Sequence, residues 1–469
     1  MTKILVVLVA LIAVVLVSAQ NWRRSVLVAL VIAVLEGALR KWGLPQASQF
    51  IYFLKDFILI GAYLQFFYLD TSLRPPLPYK NLILSIIGLS LVWGIVQAFN
   101  PSLGSPIIGI FGLKNYYLYI PLMWLVANLF ETEADLYRFL RSYLLLLIPI
   151  GLLATVQFFS PPTSPLNVYA WDAADIAVAV GAGGAVRVTG TFSYLAGYAI
   201  YLGFCLCLLL PLLTKKQPLL WQWITLTELS LLVITAFMTA SRGLIITCIL
   251  MLVGFLGLQV TSGFSTLFHN LRKLFLPLAI ASSIAFWRFY EAIDAFWLRV
   301  TSNQDVWHRI VSSFTEVFTN FQYKALDGYG IGATFQANPM LRSLLGLPAG
   351  ESIPVYYESE MGRIALEIGP LGFFLWYGLK LLLLFLLGLT YTKLKRPLLR
   401  QLALSAFLLQ AISFTNQFVY NHTANLFQWF LYGFIFLLPH LEHTARCQSY
   451  FKMTQFHVQS SHFFGSSNQ

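Results

Sequence analysis

The feature that most constrains this chain is a series of continuous apolar stretches, repeated along nearly its whole length, most of them close to a bilayer's thickness when helical. A helix crosses the hydrocarbon core with roughly 20 apolar residues. Barrel strands instead alternate apolar and polar positions over about 10 residues, and these stretches do not alternate. Thirteen such segments are legible, the first at 4–19 and the last at 423–439. Only 10% of the residues are charged and 58% are hydrophobic, whereas a soluble domain carries about 25% charge. A soluble globular protein, a disordered chain and a disulfide scaffold are thereby excluded. The expected fold is an all-α integral membrane bundle of about 12–13 transmembrane helices, read as one domain over 1–469.

The net charge of +11 would suggest nucleic acid in a soluble protein, but membrane proteins collect Lys and Arg in cytoplasmic connections. Basic residues here occupy alternate connections: Arg23 and Arg24, Arg74 and Lys80, Arg138 and Arg141, Lys215 and Lys216, Arg272 and Lys273, then Lys393 to Arg400. That alternation predicts a cytoplasmic tail at 440–469 and external connections at 100–113, 160–192, 240–242 and 291–363. The first segment also fits a signal peptide, with Lys3 before it and Val17, Ser18 and Ala19 at its end. Parity favours an external N-terminus, or a first segment that does not fully span and leaves twelve firm spans. The cysteines Cys205, Cys207 and Cys248 lie inside apolar runs, and no zinc spacing accompanies them.

Two external loops hold most of the unusual sequence. Prolines and glycines between Ser160 and Phe192 forbid a continuous helix. In the longer loop, Val306, Ile310, Phe314, Phe318 and Phe321 recur at helical spacing and predict an amphipathic helix over 303–322. The run Asp327, Gly328, Tyr329, Gly330, Ile331, Gly332 then requires a tight loop.

Charged residues at the edge of a membrane bundle need a partner or a task. Arg242, between Ser241 and Gly243, lies in a very short connection, so its guanidinium stays near the helix ends. It is either an arginine snorkelling to lipid headgroups or part of an anion site, because helix N-terminal amides and a guanidinium fork both suit phosphate. Arg187, in Arg187, Val188, Thr189, Gly190, Thr191, Phe192, precedes the next span in the same way.

These motifs carry a resemblance. The Arg187–Phe192 run, the Ser241-Arg242-Gly243 turn, Trp307, His308 and Arg309 followed by Gly328 to Gly332, and the stretch Glu360 to Gly372 resemble, in that order, the O-antigen ligase and Wzy polymerase superfamily over about residues 185–390. The resemblance implies a membrane glycosyltransferase of polysaccharide biosynthesis, placed in the inner membrane with its site on the periplasmic side. Its substrates would be a polyprenyl-diphosphate-linked oligosaccharide and an acceptor glycan, within membrane lipid. A chain-length regulator and a flippase would be partners, nucleic acid would not, and neither cofactor nor metal is implied. Arg187 and Arg242 would hold the diphosphate, with Arg309 a third contact. Fixed guanidinium groups would stabilise the charge that develops as the lipid diphosphate departs.

Ligases of this family commonly carry a histidine motif near the end of the large loop, where this chain has Tyr356, Tyr357, Glu358, Ser359 and Glu360. A polymerase is therefore the expectation over a ligase. Glu358 and Glu360 are read three ways: as catalytic base, as ligands of a divalent cation, or as partners of Arg363 or Arg342 in surface ion pairs. His308, Asp172 and Asp175 are weaker candidates. Glu36 with Arg40, and the neighbours Lys55 and Asp56, are expected to be structural, the last two partly neutralising each other. Glu228, alone in its span, also fits a proton path, so a carrier of lipids or lipid-linked glycans is the alternative class. A scaffold for other envelope enzymes is the third.

Overall fold

The computed structural model describes residues 2–70, 77–170, 186–259, 306–324 and 326–448, with scattered helical positions between 279 and 297; side chains are described from residue 9, and not for 259 or 306–310. All regular elements among them are helices. Seven helical runs are long and apolar enough to cross a membrane: Pro45–Leu69, Lys80–Ala98, Glu133–Phe159, Leu195–Thr214, Leu219–Met238, Glu360–Lys393 and His422–Gln448, joined by the shorter Val9–Ser18, Arg242–Leu258 and Pro397–Ile412. The protein is an all-α polytopic membrane bundle. The apolar segment read at 274–290 and the acidic pair Asp172 and Asp175 lie largely or wholly outside the described residues.

In chain order the helices are α1 (Thr2–Ser18), α2 (Trp22–Ala38), α3 (Ser48–Leu64), α4 (Lys80–Ala98), α5 (Pro106–Tyr117), α6 (Leu122–Ala127), α7 (Glu133–Leu144), α8 (Leu147–Phe159), α9 (Leu195–Thr214), α10 (Leu219–Met238), α11 (Arg242–Gln259), α12 (Val306–Asn320), α13 (Asn338–Leu345), α14 (Glu360–Lys393), α15 (Pro397–Ile412) and α16 (His422–Tyr432, running on to Gln448). Local sequence sets their limits. Asn21 caps α2 by accepting from the Arg24 amide at 3.1 Å, and Thr132 with Asp135 forms a capping box on α7, each satisfying amides that a helix start leaves bare. The amphipathic helix expected over 303–322 is α12, and it packs on α14.

Polar contacts sort the connections into two ends. Arg23 pairs with Glu131, Arg396 with Glu133, and the Lys395 amide donates to Glu442, which also pairs with Arg446. Lys215 sits 3.9 Å over the Tyr137 ring. These residues define a basic end. The turn between α1 and α2 lies there too, since Arg23, which follows it directly, pairs with Glu131, and Gln65 Nε2 donates to the Gln20 carbonyl at 3.0 Å. The opposite end gathers the described parts of the two long connections, 160–170 with 186–192 and 320–324 with 326–360, and we call it the loop end.

Two departures from regular helix shape the loop end. A straight helix would hold Glu360 and Lys380 about 30 Å apart, at 1.5 Å per residue, yet their charged atoms are 3.7 Å apart. The chain reverses at Gly369, whose φ of 63° and ψ of −175° are essentially glycine-only; Pro370 starts the longer arm. Residues 360–368 thus form a short helix folded back against the span. Packed into the bend is the glycine loop, where Gly328, Gly330 and Gly332 all have positive φ. The Tyr329 amide donates to Leu366 O at 2.7 Å and the Ile331 amide to Gln97 O at 3.3 Å. A Cβ on Gly328 would lie 2.6 Å from Glu367 O, so the close approach needs glycine there. The second departure is residues 413–421, a non-helical break between α15 and α16.

Candidate functional site

The segment 187–193 is woven into the loop end by contacts with the C-terminal ends of three helices, α8, α2 and α10. Gln157, at the end of α8, accepts from the Thr189 amide at 3.3 Å and the Gly190 amide at 2.8 Å through Oε1. Lys41, just beyond α2, donates to Thr189 Oγ1 at 3.0 Å and to Gly190 O at 2.9 Å, while Arg40 donates to Ser193 Oγ at 3.0 Å. The other side of the segment meets the C-terminus of α10: the Val188 amide donates to Met238 O at 3.3 Å, and Arg187 Nε to Thr239 O at 3.1 Å. Carbonyls at a helix C-terminus lack intrahelical donors, so this contact is locally favoured.

Thr239 leads directly into the turn that carries Arg242. Ala240 there has a φ of 49°, a left-handed conformation that costs a residue with a Cβ about 1–2 kcal/mol. Ser241 then opens α11, its Oγ accepting from the Leu244 amide at 3.4 Å. Arg242 is the first residue of α11 and half-buried. The two arginines are therefore mounted on segments that touch. Arg309 lies on α12, with its side chain outside the described residues.

Glu360 and Glu358 meet the same neighbourhood from the opposite side. Glu360 is 2% exposed; its Oε2 accepts from the Phe418 amide and, at 2.9 Å, from the Val419 amide, and its Oε1 faces Lys380. Glu358 is exposed, and its carbonyl accepts from Gln417 Nε2 at 2.8 Å. Surface ion pairs with Arg363 or Arg342, one of the three readings, are not among the contacts of the described residues. Arg363 instead donates to Thr334 O at 2.6 Å and covers the Tyr420 ring, and Arg342 donates to Leu103 O at 2.9 Å. With one Glu360 oxygen taken by amides and the other turned to an ammonium, a Glu358–Glu360 cation site does not fit this donor set, because a hard cation needs those oxygens for itself.

Between the two sides is a cavity of about 250 Å³, lined by α9, α11, α15, the break and α16. Ser241 and Gly243, the neighbours of Arg242, form one wall. Gln417 and Phe418, which hold Glu358 and Glu360, form another. None of Arg242, Arg187, Glu358 and Glu360 lines this cavity itself; the neighbours of Arg242 and the residues that contact Glu358 and Glu360 do.

No protein-family model, curated protein or solved structure matches this chain. The chemistry of the site rests on its own residues.

Several of those were not anticipated. Lys380 and Glu360 are buried partners, and Glu367 is enclosed by the Thr334 amide at 2.8 Å, the Tyr116 hydroxyl at 2.8 Å and the Tyr420 hydroxyl. Lys55 and Asp56 do not neutralise each other: Lys55 takes Glu36, and Asp56 takes Lys114 at 2.6 Å. The Glu36–Arg40 pair forms as expected, at 3.6 Å. Lys114 continues to His422 at 3.3 Å, and His422 to Asn115 at 3.0 Å. Glu228, read as a lone intramembrane carboxylate, pairs with Arg141 at 3.3 Å, which weakens a proton path through it. The amide-rich run Asn416, Gln417, Asn421, Asn425, Gln428 was the available signal for the break and its surroundings.

Proposed function

We propose that this chain is a membrane glycosyltransferase that joins glycans carried on a polyprenyl diphosphate to an acceptor sugar, acting as a polymerase of repeat units. The observation that carries this reading is the placement of Arg187 and Arg242 on touching segments at the loop end, beside a cavity open between helices. A lipid diphosphate presents its charge at the membrane edge, and two guanidinium groups there would hold it and offset the charge that builds on the leaving group. Positive-inside asymmetry supports a cytoplasmic basic end, and the family resemblance supports an inner membrane with the loop end on its periplasmic side. The burial of Glu360 favours a structural role for it, leaving acceptor activation to another group at the loop end.

The test is glycan chain length in proteoliposomes supplied with lipid-linked repeat units, read as a gel ladder. The intact chain should build a ladder, and Arg242→Ala should abolish it while inserting normally. Because Arg187 also ties down Thr239, Arg187→Lys should be run beside Arg187→Ala; both should fail, since an ammonium cannot reproduce the fork. Full activity in Arg242→Ala would end the clamp hypothesis. A carrier remains the second reading, favoured by the largely buried charged and polar groups Glu36, Lys55, Asp56 and His422 with the partly exposed Lys114. It predicts movement of labelled lipid between leaflets without any ladder.

A further inference from the structure

The cavity beside Arg242 has a character of its own. At about 250 Å³ it falls just below the usual size of a whole-ligand site, roughly 300–1,000 Å³, so it admits one piece of a substrate. Its described lining contains no Asp, Glu, Lys or Arg. Amide and hydroxyl groups of Gln410, Gln428, Asn421 and Ser413 stand over an apolar floor that includes Phe204 and Phe427, stacked at 4.2 Å.

Gln410 decides what would satisfy this space. It is 3% exposed, its Oε1 has no hydrogen-bond partner among the described residues, and its Nε2 reaches only Gln428 O at 3.5 Å. That distance is beyond a good hydrogen bond. A buried, unpaired acceptor beside a nearly uncommitted donor is complementary to a hydroxyl, which both donates and accepts. A prenyl chain would leave Gln410 unsatisfied, and a phosphate would find no cation within the lining. A pyranose fits, with hydroxyls around its edge and C–H faces for the apolar floor. Ser241 and Gly243, on either side of Arg242 in the sequence, line the cavity, so this space adjoins the turn that carries that arginine.

We infer that this cavity is the subsite for the first sugar ring of the lipid-linked donor, the ring bonded to the diphosphate, and that Gln410 reads one of its hydroxyls. The inference rests on the function proposed above. It is tested on the full chain in lipid nanodiscs by comparing the affinity of a bare polyprenyl diphosphate with that of the same lipid bearing one hexose or N-acetylhexosamine. The intact protein should prefer one of the glycosylated lipids at least tenfold. Gln410→Leu should bring that preference close to one and leave the bare lipid within about twofold. Ala199→Phe, which fills the cavity from the α9 wall, should do the same and guards against a Gln410 variant that fails to fold. A preference retained in both variants, or an equal loss for both lipids in Gln410→Leu, overturns the subsite. Intact protein that binds both lipids equally overturns it while sparing the arginine clamp. Intact protein that binds neither overturns the clamp as well.

Discussion

Ala240 holds a left-handed backbone at the point where α10 hands over to Arg242. Replacing it with glycine should relieve about 1 kcal/mol of strain, offset in part by the greater freedom glycine has when unfolded. The expected outcome of Ala240→Gly is an equal or higher thermal midpoint in detergent together with slower transfer, because the turn no longer fixes Arg242. The buried pair Glu360–Lys380 makes a sharper prediction. Removing one partner leaves a buried charge unpaired and typically costs ~3–5 kcal/mol, whereas replacing both is often neutral. Glu360→Gln and Lys380→Met should each lower the thermal midpoint, and the double variant should recover most of it. If the double variant also recovers ladder formation, Glu360 is structural; if it is stable but inactive at saturating acceptor, Glu360 is the base. At this scale the sequence was legible where a motif was contiguous. The placement of Arg187 and Arg242 in connections at helix ends was legible from the local sequence, and the Glu36–Arg40 pair from its spacing of four. Lys380 with Glu360, and His422 with Lys114, were not, because the former meet only through a reversal and the latter are separated by most of the chain.

Among elements, the bend at Gly369 fixes the approach of the short 360–368 helix. Gly369→Ala would force a Cβ into a φ that only glycine occupies comfortably, and into the Leu326 carbonyl, for a loss of ~1–3 kcal/mol from the backbone alone. Protease cleavage within 324–359 should rise in that variant, since the glycine loop would lose its seat. The same loop has an acid-sensitive tether. Hydrogen bonds from Lys324 and from Ser102 hold the Glu351 carboxyl below its usual range. A depressed carboxylate stabilises the folded form above its unfolded pKa, near 4.3, and that contribution disappears as pH falls through the lower folded value. The pair is partly exposed, so the contribution is under about 1 kcal/mol. Limited proteolysis of the loop should accelerate below about pH 4.3 in the intact chain, and Glu351→Gln should flatten that dependence. Helix existence and the amphipathic α12 were readable from apolar runs and from the spacing of Phe314, Phe318 and Phe321. The bend was not, because the apolar run continues through Gly369-Pro370, and the break at 413–421 was hidden by Phe414, Phe418 and Val419.

For the whole molecule, the separation of a basic end from a loop end predicts orientation. Cys447 is exposed beside Arg446 at the basic end, whereas Cys205 and Cys207 are buried. A membrane-impermeant thiol reagent applied to intact cells should leave Cys447 unmodified until the membrane is permeabilised, and a cysteine placed at Ser352 should react at once where the reagent reaches the loop end. The reverse pattern would invert the topology and move the arginine pair to the cytoplasm. The alternation of basic connections made this layout legible from residue types alone, since it depends on which connections carry Lys and Arg and not on how the helices pack.

The C-terminal helix pair has a consequence for how the chain is made. Phe418 and Val419 satisfy Glu360, Tyr420 closes over Glu367, and His422 completes the contacts of Lys114, so two clusters of intramembrane charge stay incomplete until the last helix is synthesised and docked. A polypeptide interrupted before residue 418 would present those bare charges to lipid or to membrane proteases, although most of its spans were already inserted. Assembly of the charged groups at the loop end is thus coupled to the docking of residues 418–422, so helix packing and charge neutralisation are completed in one step.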